Sequence, residues 1–164
     1  MEKFIDDYFL TVYSAVNKLK NIREEDSVLK SVPGKWSSKE ILGHLIDSSI
    51  NNIKRIVNGQ IQDSLVFDGY NQNEWVRIQN YQNQDWNFII DLWKLNNLHL
   101  IRTVMEIPHD VLTKNFSKHN FDKILMENYL VDNPVNLEQL IRDYLKHIKH
   151  HLKQIYMLNN INVI

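Results

Sequence analysis

The clearest helix start in the chain lies in Pro33-Gly34-Lys35-Trp36-Ser37-Ser38-Lys39-Glu40-Ile41-Leu42-Gly43-His44-Leu45-Ile46-Asp47. The Pro-Gly pair favours a turn. Ser37 and Glu40 then have the spacing of a capping box, in which each side chain accepts a hydrogen bond from the backbone N–H of the other residue. We therefore predict a helix that begins after Ser37 and runs to about Val57. Its predicted apolar side consists of Ile41, Leu42, Leu45, Ile46, Ile50, Ile53, Ile56 and Val57.

Three further segments have apolar residues at steps of three and four, which predicts amphipathic helices. They span about residues 2–21, 85–106 and 136–158. Asn136 is the expected N-cap of the last one, with Gln139 completing a second capping box. Its predicted buried face is Leu137, Leu140, Ile141, Tyr144, Ile148, Leu152 and Ile155.

Two polar stretches, residues 60–84 and 108–133, separate these helices and predict long connections. We expect one short helix in the first of them, near Gln72–Gln79. No segment shows the alternation of a strand. The pattern predicts an all-α four-helix bundle with long crossover connections, formed as a single domain by residues 1–164. Crossovers of this length argue against the simplest hairpin-linked topology.

Composition excludes several classes of function. The chain has 19 basic and 20 acidic residues and a formal net charge of −1, so it has no basic excess for nucleic acid. It has no cysteine, which excludes disulfide frameworks, iron–sulfur clusters, thiolate zinc sites and a cysteine nucleophile. The acidic beginning does not resemble a signal peptide, and no apolar run has the length of a membrane span. We expect a cytoplasmic protein without a membrane partner.

Seven histidines remain as nitrogen ligands and near-neutral acid/base groups. His147 and His151 are four residues apart, so they project from the same side of the last helix on successive turns and have the spacing to bind one divalent ion. A pair of hydrogen-bonded interface histidines explains this spacing equally well. The two residues between them are not those of a zinc-protease motif. The surface is the expected place of His99, His109, His119 and His150.

His44 belongs to a polar stripe on the second long helix, together with Asp47, Ser48, Asn51 and Arg55. A solvated face is the ordinary interpretation of such a stripe. If it instead faces the histidines of the last helix, the stripe forms a polar pocket between helices, where bundles build metal and ligand sites.

Two of these segments resemble the DinB-like (YfiT-like) superfamily. Residues 34–47 match its Trp-Ser turn and the following His-Leu-x-Asp helix, residues 144–155 match its final helix, and residues 70–76 match more weakly. The resemblance implies an antiparallel bundle of up-down-down-up order with one divalent metal, usually zinc or nickel. It also implies three histidine ligands, which correspond to His44, His147 and His151.

Three neutral imidazoles leave a divalent ion at least one open position, as in a catalytic site. Members of this family resemble metal-dependent S-transferases that use bacillithiol, mycothiol or glutathione, and others are described as metal-dependent hydrolases. Our first hypothesis is therefore an S-transferase in which the metal activates a low-molecular-weight thiol, of the bacillithiol type, for attack on an electrophile. The second is a hydrolase that activates water with the same triad. The third is a non-catalytic binding or stress-response module.

Four further residues receive roles from the direction in which they face. We expect Asn51, Arg55 and Tyr144 to contact the cofactor or the substrate, and Asp47 to orient a ligand or accept a proton. Asp47, Asn51 and Tyr144 are the candidate catalytic residues, and Arg55 is the candidate cofactor-binding residue. The resemblance also implies a homodimer, and the aromatic residues Trp75, Trp86 and Trp93 suggest more apolar surface than one small bundle needs.

Overall fold

Long helices account for most of the structure, a computed structural model that describes residues 1–162. The helices are α1 (Glu2–Leu19), α2 (Glu24–Ser27), α3 (Ser38–Gly59), α4 (Gln72–Ile78), α5 (Trp86–Met105), α6 (His109–Thr113), α7 (Phe121–Ile124) and α8 (Leu137–Leu158). A 3₁₀ turn at Tyr81–Asn83 precedes α5. Over the described range there is no strand, only the isolated bridges Leu65–His119 and Phe116–Val135. The all-α prediction is confirmed.

Both predicted capping boxes are present. The Ser37 hydroxyl accepts from the Glu40 N–H, while the Ser37 N–H donates to the Glu40 carboxylate at 2.9 Å. Asn136 and Gln139 make the equivalent pair at the start of α8. Gly34 supplies the turn before α3 with a φ of +81°, a conformation that other residues rarely adopt. The two helices that bear the histidines therefore begin where local hydrogen bonding dictates.

The long helices pair in an order that differs from their order in sequence. α3 packs against α5 and α8, and α1 packs against α5 and, less extensively, α8. The successive long helices α1 and α3 are not a closely packed pair, in agreement with the prediction that simple hairpin connections do not form this bundle. α3 and α8 lie side by side, which brings their histidines together.

The predicted buried face of α8 is confirmed, since all seven of its residues are buried. The prediction for α3 is wrong at two positions, because Ile50 and Val57 are 46% and 44% exposed. α3 instead buries polar side chains, including Ser48 and Asn52. Its inward face is thus rotated toward the polar stripe, and this rotation turns the two apolar residues to solvent.

The connections contain more structure than their polar composition suggests. In the segment between α1 and α3, the carboxylate of Glu24 on α2 accepts from the buried ammonium of Lys39 and, at 2.9 Å, from the Trp86 N–H. This contact joins the beginnings of α3 and α5 to α2, a helix that the sequence did not predict.

The described residues include no helix long and apolar enough to cross a membrane.

His119 corrects a second prediction, because it is buried rather than at the surface. Its Nε2 lies 2.9 Å from the carbonyl oxygen of Asn133, and its Nδ1 accepts from the Phe121 N–H at 3.2 Å. The imidazole therefore connects two parts of the second crossover. His99 and His109 are exposed, as predicted.

Candidate metal centre

Three histidines from two helices converge on one point. His44 of α3 and His147 and His151 of α8 each offer a ring nitrogen, and these nitrogens all lie within 4.8 Å of one another. The Nε2 atoms of His44 and His147 are 3.2 Å apart. Metal–nitrogen bonds of about 2.0–2.1 Å in a tetrahedral site place two ligand nitrogens about 3.3 Å apart. Among residues 1–162 this is the one such group of histidines and carboxylates.

The protonation state of these histidines suits metal binding. Burial, together with the neighbouring His151, lowers the pKa of His44 to about 3. Burial and the adjacent histidines lower the pKa of His147 to about 2. Burial also lowers the pKa of His151, although its hydrogen bond to Gln154 opposes this shift. All three imidazoles are therefore neutral at neutral pH and keep a lone pair for a cation.

Neighbouring oxygens orient two of the rings. The Nδ1 of His151 lies 2.8 Å from Oε1 of Gln154, and the Nδ1 of His147 lies 3.4 Å from the Ser48 hydroxyl. An oxygen acceptor at Nδ1 fixes the proton there and leaves Nε2 as the ligand atom. Gln154 is itself held by Nε2 of His150, at 3.0 Å. His150 is exposed, as predicted. Its contact with Gln154 nevertheless helps to orient His151.

The third ring is held by packing. The Trp36 ring lies against the His44 imidazole with a centroid distance of 5.1 Å and an angle of 35°. The Nδ1 atom of His44 is buried and has no hydrogen-bond partner. Three neutral imidazole nitrogens that converge on one point fit a single divalent ion.

Asp47 lies three residues after His44 on α3 and is held by residues of the first crossover. One carboxylate oxygen accepts from the Tyr81 hydroxyl at 2.7 Å and from the Gln79 amide, whereas the other oxygen is buried without a partner. Burial raises the pKa of Asp47, and the two hydrogen bonds oppose this rise. The predicted role of Asp47 in orienting a ligand or accepting a proton stays a prediction.

A cavity of about 250 Å³ adjoins His44 and His147. The side chains of α3 that line it are Ser48, Asn52 and Arg55. With His44 they recur at steps of four, four and three, which places all of them on one face of the helix. Of the stripe predicted from the sequence, His44, Ser48 and Arg55 line this cavity, whereas Asp47 and Asn51 do not. Asn52 lines it and was missed.

Asn51 lies to one side of this wall. Its amide donates to the Asp47 carbonyl of its own helix at 2.9 Å, and its side chain borders a neighbouring cavity of about 370 Å³. The predicted contact of Asn51 with substrate stays a prediction.

Two other residues of the cavity were missed in the sequence. Tyr70, from the first crossover, is half-buried, and burial raises the pKa of its phenol to about 12, so it keeps its proton at neutral pH. Asp143 of α8 is buried, and its carboxylate accepts from the N–H groups of Met126 and Glu127 at 3.1 and 2.9 Å. The sequence could have identified Asp143, because this acidic residue directly precedes Tyr144 on the predicted buried face of the last helix.

Tyr144 lines the cavity through its ring, which stacks on His147 with a centroid distance of 6.3 Å. Its hydroxyl points away, donating at 3.0 Å to Oδ1 of the buried Asn97, which also accepts from Tyr8. Any contact of Tyr144 with substrate therefore involves the ring face rather than the hydroxyl.

A second space lies on the other side of the triad. This groove, about 770 Å³ in volume, is bordered by His151 and Gln154 and by the apolar side chains Val32, Trp36, Ile41, Met157 and Leu158. His44 and His147 face the polar cavity, whereas His151 faces the apolar groove. The three histidines thus separate two spaces of different chemistry.

A helical bundle with three convergent histidines beside a polar cavity defines a class of four-helix proteins with a candidate metal site. The model of the DinB superfamily matches residues 11–155, and the chain belongs to this superfamily. Among solved structures it is similar to YfiT from Bacillus subtilis, described as a probable metal-dependent hydrolase with an unusual four-helix bundle topology. The two are 15% identical with a TM-score of 0.74, over 98% of this chain and 88% of that chain, a likeness that shows the fold. No curated protein matches the chain.

Proposed function

We propose that the protein is a metal-dependent S-transferase that joins a small thiol, of the bacillithiol type, to an electrophile. The observation that supports this most directly is the position of the triad between two spaces, the polar cavity beside His44 and His147 and the apolar groove beside His151. A transferase must hold two organic substrates at one centre. Hydrolysis requires room for only one besides water.

His44, His147 and His151 would hold the metal, with zinc or nickel as the proposed ion. When bound by three neutral ligands, such an ion supplies a Lewis-acidic centre with an open position that lowers the pKa of a thiol or of water. The chain has no cysteine, so the reactive sulfur must belong to a cosubstrate.

The protein's own side chains would position the reactants. Gln154 and Ser48 orient the imidazoles, and the Tyr70 phenol is a neutral hydrogen-bond donor beside the polar cavity. Asp47, one of whose oxygens is buried without a hydrogen-bond partner, would orient a ligand or accept the thiol proton. Arg55 and Asn51 would contact the cosubstrate, and the ring of Tyr144 forms part of the wall.

We place this activity in the cytoplasm, where small thiols remain reduced. A homodimer stays part of the proposal on the family resemblance alone. The aromatic argument for it loses two of its three residues, because Trp86 and Trp93 are 2% and 0% exposed in the core of a single chain. Sedimentation of the purified protein measures the state directly.

Hydrolysis by the same triad is the second candidate, supported by the description of YfiT. A decisive experiment incubates metal-loaded protein with monochlorobimane, with and without bacillithiol or glutathione. We expect turnover only with a thiol, and its loss in His151→Ala but not in the exposed control His99→Ala. Turnover without any thiol would contradict the transferase. Equal and negligible metal in wild type and His151→Ala would instead favour a non-catalytic module.

A further inference from the structure

Arg55 is a buried cation with no anionic partner among the described residues. Arg55 is only 8% exposed, and it forms no ion pair. Its one hydrogen bond runs from Nη2 to the carbonyl oxygen of Asp68, at 3.1 Å. A guanidinium has five N–H donors and stays charged in proteins. Burying such a charge without a counter-ion is costly, so the arrangement indicates a ligand.

The remaining donors of Arg55 open into space rather than into packed protein. Arg55 borders both the cavity beside His44 and the neighbouring cavity that Asn51 lines. None of its nitrogens is among the buried polar atoms that lack a partner. The guanidinium is therefore accessible to a molecule in the cavity next to the metal centre.

No nearby carboxylate forms an ion pair with Arg55, and the side chain of Asp68, which borders the second cavity, is exposed. Asp143, on the opposite wall, accepts from two backbone N–H groups, and Asp47 accepts from Tyr81 and Gln79. Neither forms an ion pair with Arg55. The Arg55 guanidinium on the α3 wall of the cavity is thus not paired with either carboxylate.

The spacing along α3 fixes the scale of the ligand. Ser48 contacts His147 and Arg55 lies seven residues further on, which corresponds to about 10 Å along the helix axis. The arginine side chain leans back toward the helix N-terminus, which shortens this separation. Between them, Asn52 lines the cavity, and its side-chain oxygen is buried without a hydrogen-bond partner. One small molecule can span from the triad to the guanidinium.

We propose that Arg55 binds a carboxylate of the thiol cosubstrate, at the end of that molecule remote from its sulfur. This inference rests on the proposed function for the identity of the reactive group, but the carboxylate subsite itself depends only on Arg55 and the cavity. A carboxylate can accept two parallel N–H donors from a guanidinium, which gives both affinity and orientation. The polar cavity then selects acidic thiols over neutral ones.

The test compares 6-mercaptohexanoate with 6-mercaptohexanol, which differ only in the terminal group. Their affinities for zinc-loaded protein are measured by calorimetry at one pH. We expect the acid to bind about 10- to 100-fold more tightly to wild type, and this preference to disappear in Arg55→Gln. Arg77→Gln, which removes an exposed arginine paired with Glu74, is the matched control and keeps the preference. Zinc content of each variant reports on folding.

Hexanoate and hexanol, without sulfur, separate the subsite from the proposed chemistry. One outcome is that the two thiols bind no more tightly than hexanoate and hexanol, while hexanoate still binds better than hexanol in wild type and not in Arg55→Gln. The carboxylate subsite is then supported and the transferase is contradicted. If wild type shows no preference for either acid, the inference is overturned. It is also overturned if Arg55→Gln retains the preference. Loss of the preference in Lys123→Gln would then assign it to the cavity rim instead.

Discussion

The Nε2 atoms of His44 and His147 lie 3.2 Å apart, although the residues are separated by 103 positions in the chain. Two neutral imidazoles directed at each other in this way fit a shared cation. We therefore predict that wild type binds about one divalent ion per chain. His44→Ala and His151→Ala should each lose most of it, as measured by elemental analysis after identical loading. His99→Ala is the control, and metal content that is equal in all four proteins would exclude the triad as the site.

The hydrogen bond between Gln154 and His151 makes a separate prediction. Gln154→Leu removes the acceptor that fixes the proton on Nδ1 of His151, so the ring loses its orientation. Loss of such an outer partner typically weakens metal affinity by about 10- to 100-fold. Competition with a chromophoric chelator measures this change. Lys153→Leu places the same side chain on the exposed neighbour, and equal affinities in the two variants would show that the Gln154 bond is only a surface contact.

Local rules explain why the helix starts and the histidine triad were predictable. The capping boxes at Ser37 and Asn136 depend on residues three positions apart, and the His147–His151 spacing depends on a single helix. The position of His44 opposite that pair came from the family resemblance. Spacing alone favoured a solvent-exposed face for this stripe, because the sequence of α3 does not show which neighbouring helix covers it.

Residues that depend on tertiary contacts were less accessible. Asn52 and Asn51 are one position apart, which is a rotation of about 100° on a helix, so only the packing of α3 shows which of them faces the cavity. Tyr70 reaches the cavity from a long crossover, whose path no periodicity specifies. His119 seemed a surface residue because its partners, the Phe121 N–H and the Asn133 carbonyl, are backbone groups.

The lowered pKa values predict how the metal-free protein responds to acid. The pKa is about 3 for His44 and about 2 for His147 in the native protein, against about 6.5 in an unfolded chain. Below pH 6.5 the unfolded chain therefore binds more protons than the native protein, and the free energy of unfolding falls as the pH decreases. Above pH 6.5 both states are unprotonated and this contribution disappears.

Urea unfolding in the presence of a chelator, at pH 7 and pH 5, measures this effect. Each histidine should contribute a loss of about 1 kcal/mol per pH unit in that window. The double variant His44→Gln/His147→Gln removes both groups and should show a flatter dependence. An equally steep dependence in the variant would assign the acid sensitivity to other residues.

Gly43 makes room for the ring that holds Asp47. A Cβ at this position would lie 2.1 Å from Cδ2 of Tyr81, whose ring is only 2% exposed. Gly43→Ala must therefore displace a buried ring, which should lower the free energy of unfolding by about 1–3 kcal/mol. Gly69→Ala is the matched control, since a Cβ there meets nothing within 4 Å. Urea unfolding measures both changes.

A double-mutant cycle with Tyr81→Ala identifies the cause of that loss. If the Gly43→Ala penalty arises from collision with the ring, it should shrink by most of its value in the Tyr81→Ala background, because the space is then vacant. An undiminished penalty would place the cause elsewhere in α3. Tyr81→Phe keeps the ring but removes the hydroxyl that donates to Asp47. It should leave the Gly43→Ala penalty intact, which distinguishes the steric contact from the hydrogen bond.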